Sequence, residues 1–199
     1  LPAISSRFVV FRERASQPDD DYTGNHLQFA VDAENAFRSV DITEDWQLRF
    51  NEDMGAPQSY AMPQLASWAD SESEGVKYYS GTAEYTKTFT VEEESLSQAR
   101  EVYVDFEDIQ EIATVYINGE DCGVVWTPPY MANITSHLQA GENQITVQVA
   151  NTWNNRIVGD MRNPDVNSYT STNATSRFAD DQPLLKSGLL GKAEILFIE

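Results

Sequence analysis

Acid–base chemistry in this 199-residue chain would fall to carboxylates, because 32 Asp and Glu residues stand beside only two histidines, His26 and His137, and one cysteine, Cys122. Glycoside hydrolysis needs only two carboxyl groups about 5–10 Å apart, one of them held protonated by burial. Counting selects no such pair, and most of these acids belong on solvated faces. There is no G-x-S-x-G elbow, P-loop, G-x-G-x-x-G, H-E-x-x-H or EF-hand pattern in the sequence. Two histidines and one cysteine are too few for a zinc or iron–sulfur site, and a single cysteine makes no internal disulfide. Calcium asks only for hard oxygens, and Asp105, Glu107, Asp108, Asp160 and Asp165 are the residues that would supply them.

Recognition is the second chemistry the residues allow. In Val125-Trp126-Thr127-Pro128-Pro129-Tyr130 a strand runs into a rigid Pro-Pro corner bracketed by two large aromatics. Sugars bind by stacking C–H faces on such rings while amide and guanidinium groups bond the hydroxyls. Trp126, Tyr130 and Trp153 are the candidate platforms, with Asn155 and Arg156 as hydroxyl partners. The competing reading is that the three rings plug one end of a β core. Arg156 and Asp160 are four residues apart and are expected to form a structural ion pair that fixes a long loop.

Partners are narrowed by charge. A net charge of −19 repels phosphate backbones and anionic lipid, so no nucleic acid and no membrane partner is expected. The longest apolar stretches, such as Phe8-Val9-Val10-Phe11, fall far short of the roughly 20 residues a spanning helix needs.

The elements that must position these residues are mostly strands. Period-two alternation with β-branched and aromatic residues predicts strands at 7–13, 27–31, 46–50, 82–90, 101–106, 113–117, 123–126, 144–150 and 193–198. In 83–89, Ala83, Tyr85, Lys87 and Phe89 share one face. Asn118-Gly119 between two hydrophobic runs marks a tight hairpin, and Gly141 marks a second turn. One short connector helix is expected at 91–99, with Glu92-Glu93-Glu94 near its start. Residues 51–81 and 151–188 read as long loops, packed by Tyr60, Trp68, Tyr78, Tyr79, Trp153, Tyr169 and Phe178. The expected fold is all-β, an antiparallel β-sandwich of jelly-roll type.

Two stretches, Gly75–Phe89 and Tyr116–Tyr130, resemble the galactose-binding-like sandwich at the C-terminal end of glycoside hydrolase family 106 α-L-rhamnosidases. Gly141-Glu142-Asn143, then Asn151-Thr152-Trp153-Asn154-Asn155-Arg156-Ile157-Val158-Gly159-Asp160, then Leu184–Gly191 follow in the order found in that domain. A looser likeness extends to the sugar-binding sandwich of family 2 glycosidases. The resemblance implies a galactose-binding-like domain over 42–199, with 1–41 as the end of a preceding domain. It also implies a secreted or periplasmic bacterial enzyme acting on plant polysaccharides or rhamnosides, its catalytic glutamates in a separate barrel that contacts this sandwich. A barrel takes about 250 residues by itself, so those glutamates lie outside this chain. The expected role is non-catalytic, either carbohydrate contact or scaffolding. Two others stay open: a purely structural docking module, and a small independent carbohydrate-active enzyme.

Overall fold

Alternation along the strands builds two stacked layers in the computed structural model, which describes residues 36–163, 168–172 and 182–199. The elements are β1 (Ala36–Asp41), β2 (Glu44–Arg49), β3 (Ser59–Gln64), α1 (Glu74–Lys77), β4 (Thr82–Val91), α2 (Glu93–Gln98), β5 (Glu101–Gln110), β6 (Ile112–Ile117), β7 (Glu120–Val125), β8 (Tyr130–Asn133), β9 (Gly141–Ala150), α3 (Asn154–Arg162) and β10 (Gly188–Ile198). One sheet has the order β1-β10-β5-β8 and the other β3-β2-β4-β9-β6-β7. Every pair between them is antiparallel. This is the all-β sandwich that the sequence predicts, with its helices confined to connections.

Register carries the inward residues into rows. Ala83, Val149 and Ala113 face one another across β4, β9 and β6, as do Tyr85, Val147 and Val115. The opposing sheet answers with Val102, Val104 and Phe106 of β5 and Ile195 and Phe197 of β10, all buried. Two apolar faces stacked this way form one core about 10 Å thick. Asn118 and Gly119 both have positive φ, 53° and 88°, which is the hairpin geometry that the Asn-Gly pair favours. The Asn118 amide donates to His137 O and Asn143 Oδ1, each at 2.9 Å, and so ties that hairpin to the turn at Gly141.

The differences from the expected elements are short edge strands and two helices, α1 and α3, within the stretches that read as long loops. β1 pairs with β10, so residues 36–41 form an edge strand of the sandwich, while residues 1–35 lie outside the described residues. β3, whose only partner among the described residues is β2, carries Pro63, which a sheet tolerates at an edge. β8 follows the Pro-Pro corner, and α3 occupies the start of what reads as a long loop. The expected strands at 7–13 and 27–31 lie outside the described residues. No helix among the described residues is long and apolar enough to cross a membrane.

On the outer face of the smaller sheet, Asp41, Glu194 and Asp105 lie opposite one another on β1, β10 and β5. Like charges placed so are unfavourable. Lys192 Nζ relieves part of this at 2.7 Å from Glu194 Oε1. Burial, and then the charge of Glu194, push the Asp105 carboxyl up to about 6 against the opposing pull of Lys192. An unfolded Asp titrates near 3.9, roughly, so the native state holds the proton more tightly. Stability therefore falls as pH rises from about 4 to about 6 and is level above that. Asp105→Asn should raise stability at pH 7.5 by about 1 kcal/mol, the carboxyl being partly solvent-screened, and change it little at pH 4. Urea midpoints at the two pH values check this; an unchanged or lower midpoint at pH 7.5 rejects it.

Candidate functional site

One rim of the sandwich gathers the residues of interest, because strand register brings their chain positions together. Ile112 pairs with Ala150, and Ala113 pairs with both Val125 and Val149, so Trp126 and the segment from Asn151 leave the larger sheet at the same end. Gly81 arrives there too, its N–H donating to Asn151 Oδ1 at 2.9 Å. Asn151 Nδ2 in turn donates to Tyr79 O and Ser187 Oγ.

Plugging of the core is done by other rings than those expected. Trp68 is fully buried, with its ring 5.4 Å from Phe50 and 5.6 Å from Tyr79, both edge-on, and stacked at 6.3 Å on Tyr85. Its Nε1–H donates to Tyr85 Oη at 2.6 Å, an oxygen that also accepts the Leu189 N–H. Trp126 and Trp153, by contrast, are 51% and 56% exposed. Tyr130 is half-buried against the core edge. The Pro128–Pro129 peptide between the rings of that corner is cis.

Helix α3 turns Asn155 and Arg156 inward, so that both are buried, Asn155 within protein contacts and Arg156 at the wall of a cleft. Asn155 is 1% exposed. Its Nδ2 donates to Leu185 O and Ser187 Oγ, while its Oδ1 accepts from Leu185 N and Asn154 Nδ2. Two donors and two acceptors exhaust an amide, so Asn155 fastens the segment before β10 and has nothing left for a ligand.

Arg156 and Asp160 form the ion pair that their spacing predicts, with Nε and Oδ1 2.9 Å apart and both side chains 7% exposed. The other carboxylate oxygen accepts the N–H groups of Tyr169 and Thr170 and the Thr170 hydroxyl, at 3.0, 2.7 and 2.7 Å. The guanidinium lies 4.8 Å from the centre of the Tyr169 ring and 5.8 Å from that of Tyr78. Both rings thus add cation–π attraction to the pair. Gly159 makes the approach possible: a Cβ there would sit 2.6 Å from Tyr78 Cγ and 2.7 Å from Arg156 Nη2.

Above this pair opens a cleft of about 170 Å³ lined by Gly55, Glu74, Gly75, Tyr78, Arg156, Gly159, Asp160, Asn163 and Tyr169. Of its two acids, Asp160 is consumed by the contacts just given, which leaves Glu74, an exposed side chain on α1, as the carboxylate open to a ligand. One open carboxylate makes no hydrolytic pair. Glu74 and Gly55 lie outside the motifs that sequence reading used; only the fold brings them to the cleft beside Arg156.

The acids named as possible calcium ligands do not assemble among the described residues, where no group of three or more His, Cys, Asp or Glu could hold a metal ion. Glu107 accepts the Lys192 N–H, Asp108 accepts from Gln110 Nε2, and Asp160 is occupied as above. Asp105 faces Glu194 across the sheet, and Asp165 lies outside the described residues.

Comparison with known proteins matches a family model described as glycosyl hydrolase 2 galactose-binding domain-like to residues 66–181. A putative beta-glucuronidase of Formosa agariphila is 31% identical over 172 residues, which is 75% of this chain and 15% of that protein. A beta-galactosidase of Priestia megaterium is 32% identical over 56% of this chain and 11% of its own length. Among solved structures, a rhamnosidase from Novosphingobium sp. PP1Y superposes with TM-score 0.73 at 34% identity, covering 80% of this chain and 15% of the enzyme. A β-glucuronidase from Ruminococcus gnavus, 18% identical over 81% of this chain and 29% of its own, shares the fold with TM-score 0.56. The chain thus spans about a seventh of the length of the first relative and of the rhamnosidase.

Proposed function

The chain belongs to the glycosyl hydrolase 2 galactose-binding domain-like family, and from that membership we propose that it is a non-catalytic accessory domain of a rhamnosidase-like glycoside hydrolase that contacts carbohydrate through its open rim. The observation that carries the reading is the pair of indoles, Trp126 and Trp153, more than half exposed at the same end of the sandwich while the core is closed by other rings. A folded chain that leaves two indoles in water at one rim has a surface suited to sugar C–H faces. The finer placement in family 106 is supported by the ordered motifs from Gly75 to Gly191 and by the likeness to the Novosphingobium rhamnosidase.

The neighbour in the parent protein is a catalytic barrel, and the substrate a plant polysaccharide or rhamnoside. A polymer of that kind does not cross a membrane, so the working place is outside the cytoplasm, secreted or periplasmic; recovery of the native protein solely in the cytoplasmic fraction rejects this. A second reading, docking on the barrel without sugar contact, is favoured by the exposed Ile112 and Val124 close to Trp126 at the edge formed by β6 and β7.

Affinity electrophoresis in gels containing neutral galactan or rhamnan separates the two. Carbohydrate contact predicts retardation of the chain that Trp126→Ala with Trp153→Ala reduces at least about fivefold, each stacked ring contributing about 0.5–1.5 kcal/mol. Equal mobility with and without polysaccharide leaves docking as the role. Aryl rhamnoside turnover by the chain, lost on mutating one acid, would overturn the non-catalytic assignment.

A further inference from the structure

We propose that the cleft above the Arg156–Asp160 pair is a subsite for a single neutral pyranose, one that excludes uronic acids. This rests on the reading of the domain as a carbohydrate-contacting one. At about 170 Å³ the cleft is smaller than the roughly 300 Å³ from which drug-sized pockets begin, so it admits one sugar ring and no more of a chain.

Its walls supply the three features that a sugar ring asks for. Tyr78 and Tyr169 give ring faces. Arg156 is nine-tenths buried, its Nε 2.9 Å from Asp160 Oδ1 in an ion pair that lacks hydrogen-bond geometry, and its guanidinium makes no side-chain hydrogen bond to a described residue. Glu74, exposed on α1, adds a carboxylate acceptor to the lining. A donor fork and an acceptor in one cleft can hold a pair of neighbouring hydroxyls, one as acceptor and one as donor.

Charge then selects among sugars. The cation of Arg156 is cancelled by Asp160, 2.9 Å away, and Glu74 leaves the cleft with an excess negative charge. The chain as a whole, at −19, adds to it. A uronate carboxylate entering here would lose water without gaining a free cation, an unfavourable exchange in a partly buried site. A neutral or deoxy sugar meets no such barrier.

The test follows the Arg156 Nε–H resonance while the intact chain is titrated with methyl α-L-rhamnopyranoside, methyl β-D-galactopyranoside and D-glucuronic acid. A saturable shift is expected with at least one neutral glycoside and none with glucuronic acid. Glu74→Gln, an exposed change that spares the fold, should weaken the neutral glycoside at least tenfold. No shift with any of the three, an equal shift with glucuronic acid, or unchanged affinity in Glu74→Gln overturns the subsite. Retardation by polysaccharide that depends on Trp126 and Trp153 but not on Glu74 would overturn the subsite alone and leave the rim reading standing. Loss of both removes both.

Discussion

Asp160→Ala is expected to lower the unfolding free energy by about 3–5 kcal/mol, the range for removing one partner of a buried ion pair. The loss has two parts. Arg156 is left with an uncompensated charge at 7% exposure, softened by the rings of Tyr78 and Tyr169. The N–H groups of Tyr169 and Thr170 also lose their acceptor. Arg156→Met removes the cation but leaves those N–H groups bonded to Asp160, so it should cost less than Asp160→Ala. The double variant should not return to wild-type stability, because the acceptor for Tyr169 and Thr170 is still missing. Urea unfolding of the three variants measures the order. A double variant as stable as wild type would show that the pair does not anchor the segment at 168–170.

Trp68→Ala is the second large effect, also about 3–5 kcal/mol, since a fully buried indole leaves a cavity that its neighbours fill only in part. Three rings lose a partner in one substitution: Phe50, Tyr79 and Tyr85. Tyr85→Phe isolates the polar share of this contact. It deletes the one oxygen that accepts both the Trp68 indole N–H and the Leu189 N–H, leaving two buried donors unbonded at about 1–3 kcal/mol each. Gly188→Ala reaches the same pair from the other side. At φ 96° the backbone already disfavours a side chain, and a Cβ would collide with Tyr85 Oη and Trp68 Nε1. Thermal and urea unfolding that left Trp68→Ala within 1 kcal/mol of wild type, on the roughly 5–15 kcal/mol scale of whole-domain stability, would deny Trp68 its place in closing the core.

What the sequence made legible, and what it hid, follows from burial. β4, β6 and β9 lie inside the larger sheet, and their inward residues alternate as Ala83-Tyr85, Ala113-Val115-Ile117 and Ile145-Val147-Val149. β1, β3 and β8 lie at edges or are very short, and sequences such as Ala36-Phe37-Arg38-Ser39 carry no apolar alternation. Helix α3 escaped for another reason. Its buried face is Asn155, Arg156, Val158 and Gly159, and a helix buried through polar contacts has no apolar stripe to reveal its period.

The candidate site divides in the same way. The i to i+4 spacing of Arg156 and Asp160 was enough to predict their pairing. Spacing alone does not say that Asn155 turns inward, nor that Glu74 of α1 joins Arg156 from across the rim, because both depend on contacts between segments far apart in the chain. Trp126 and Trp68 are the same residue type, and neither Val125-Trp126-Thr127 nor Ser67-Trp68-Ala69 states by itself which ring is buried. Only the closed fold separates the ring in water from the ring in the core.

The chain holds four tryptophans, two buried, Trp46 and Trp68, and two open, Trp126 and Trp153, so it carries its own control. Indole N–H resonances followed during titration with neutral galactan and rhamnan fragments test the rim reading most directly. Carbohydrate contact predicts that the signals of Trp126 and Trp153 move to saturation while those of Trp46 and Trp68 stay in place. Four unmoved signals, or movement of the buried pair alone, would contradict it.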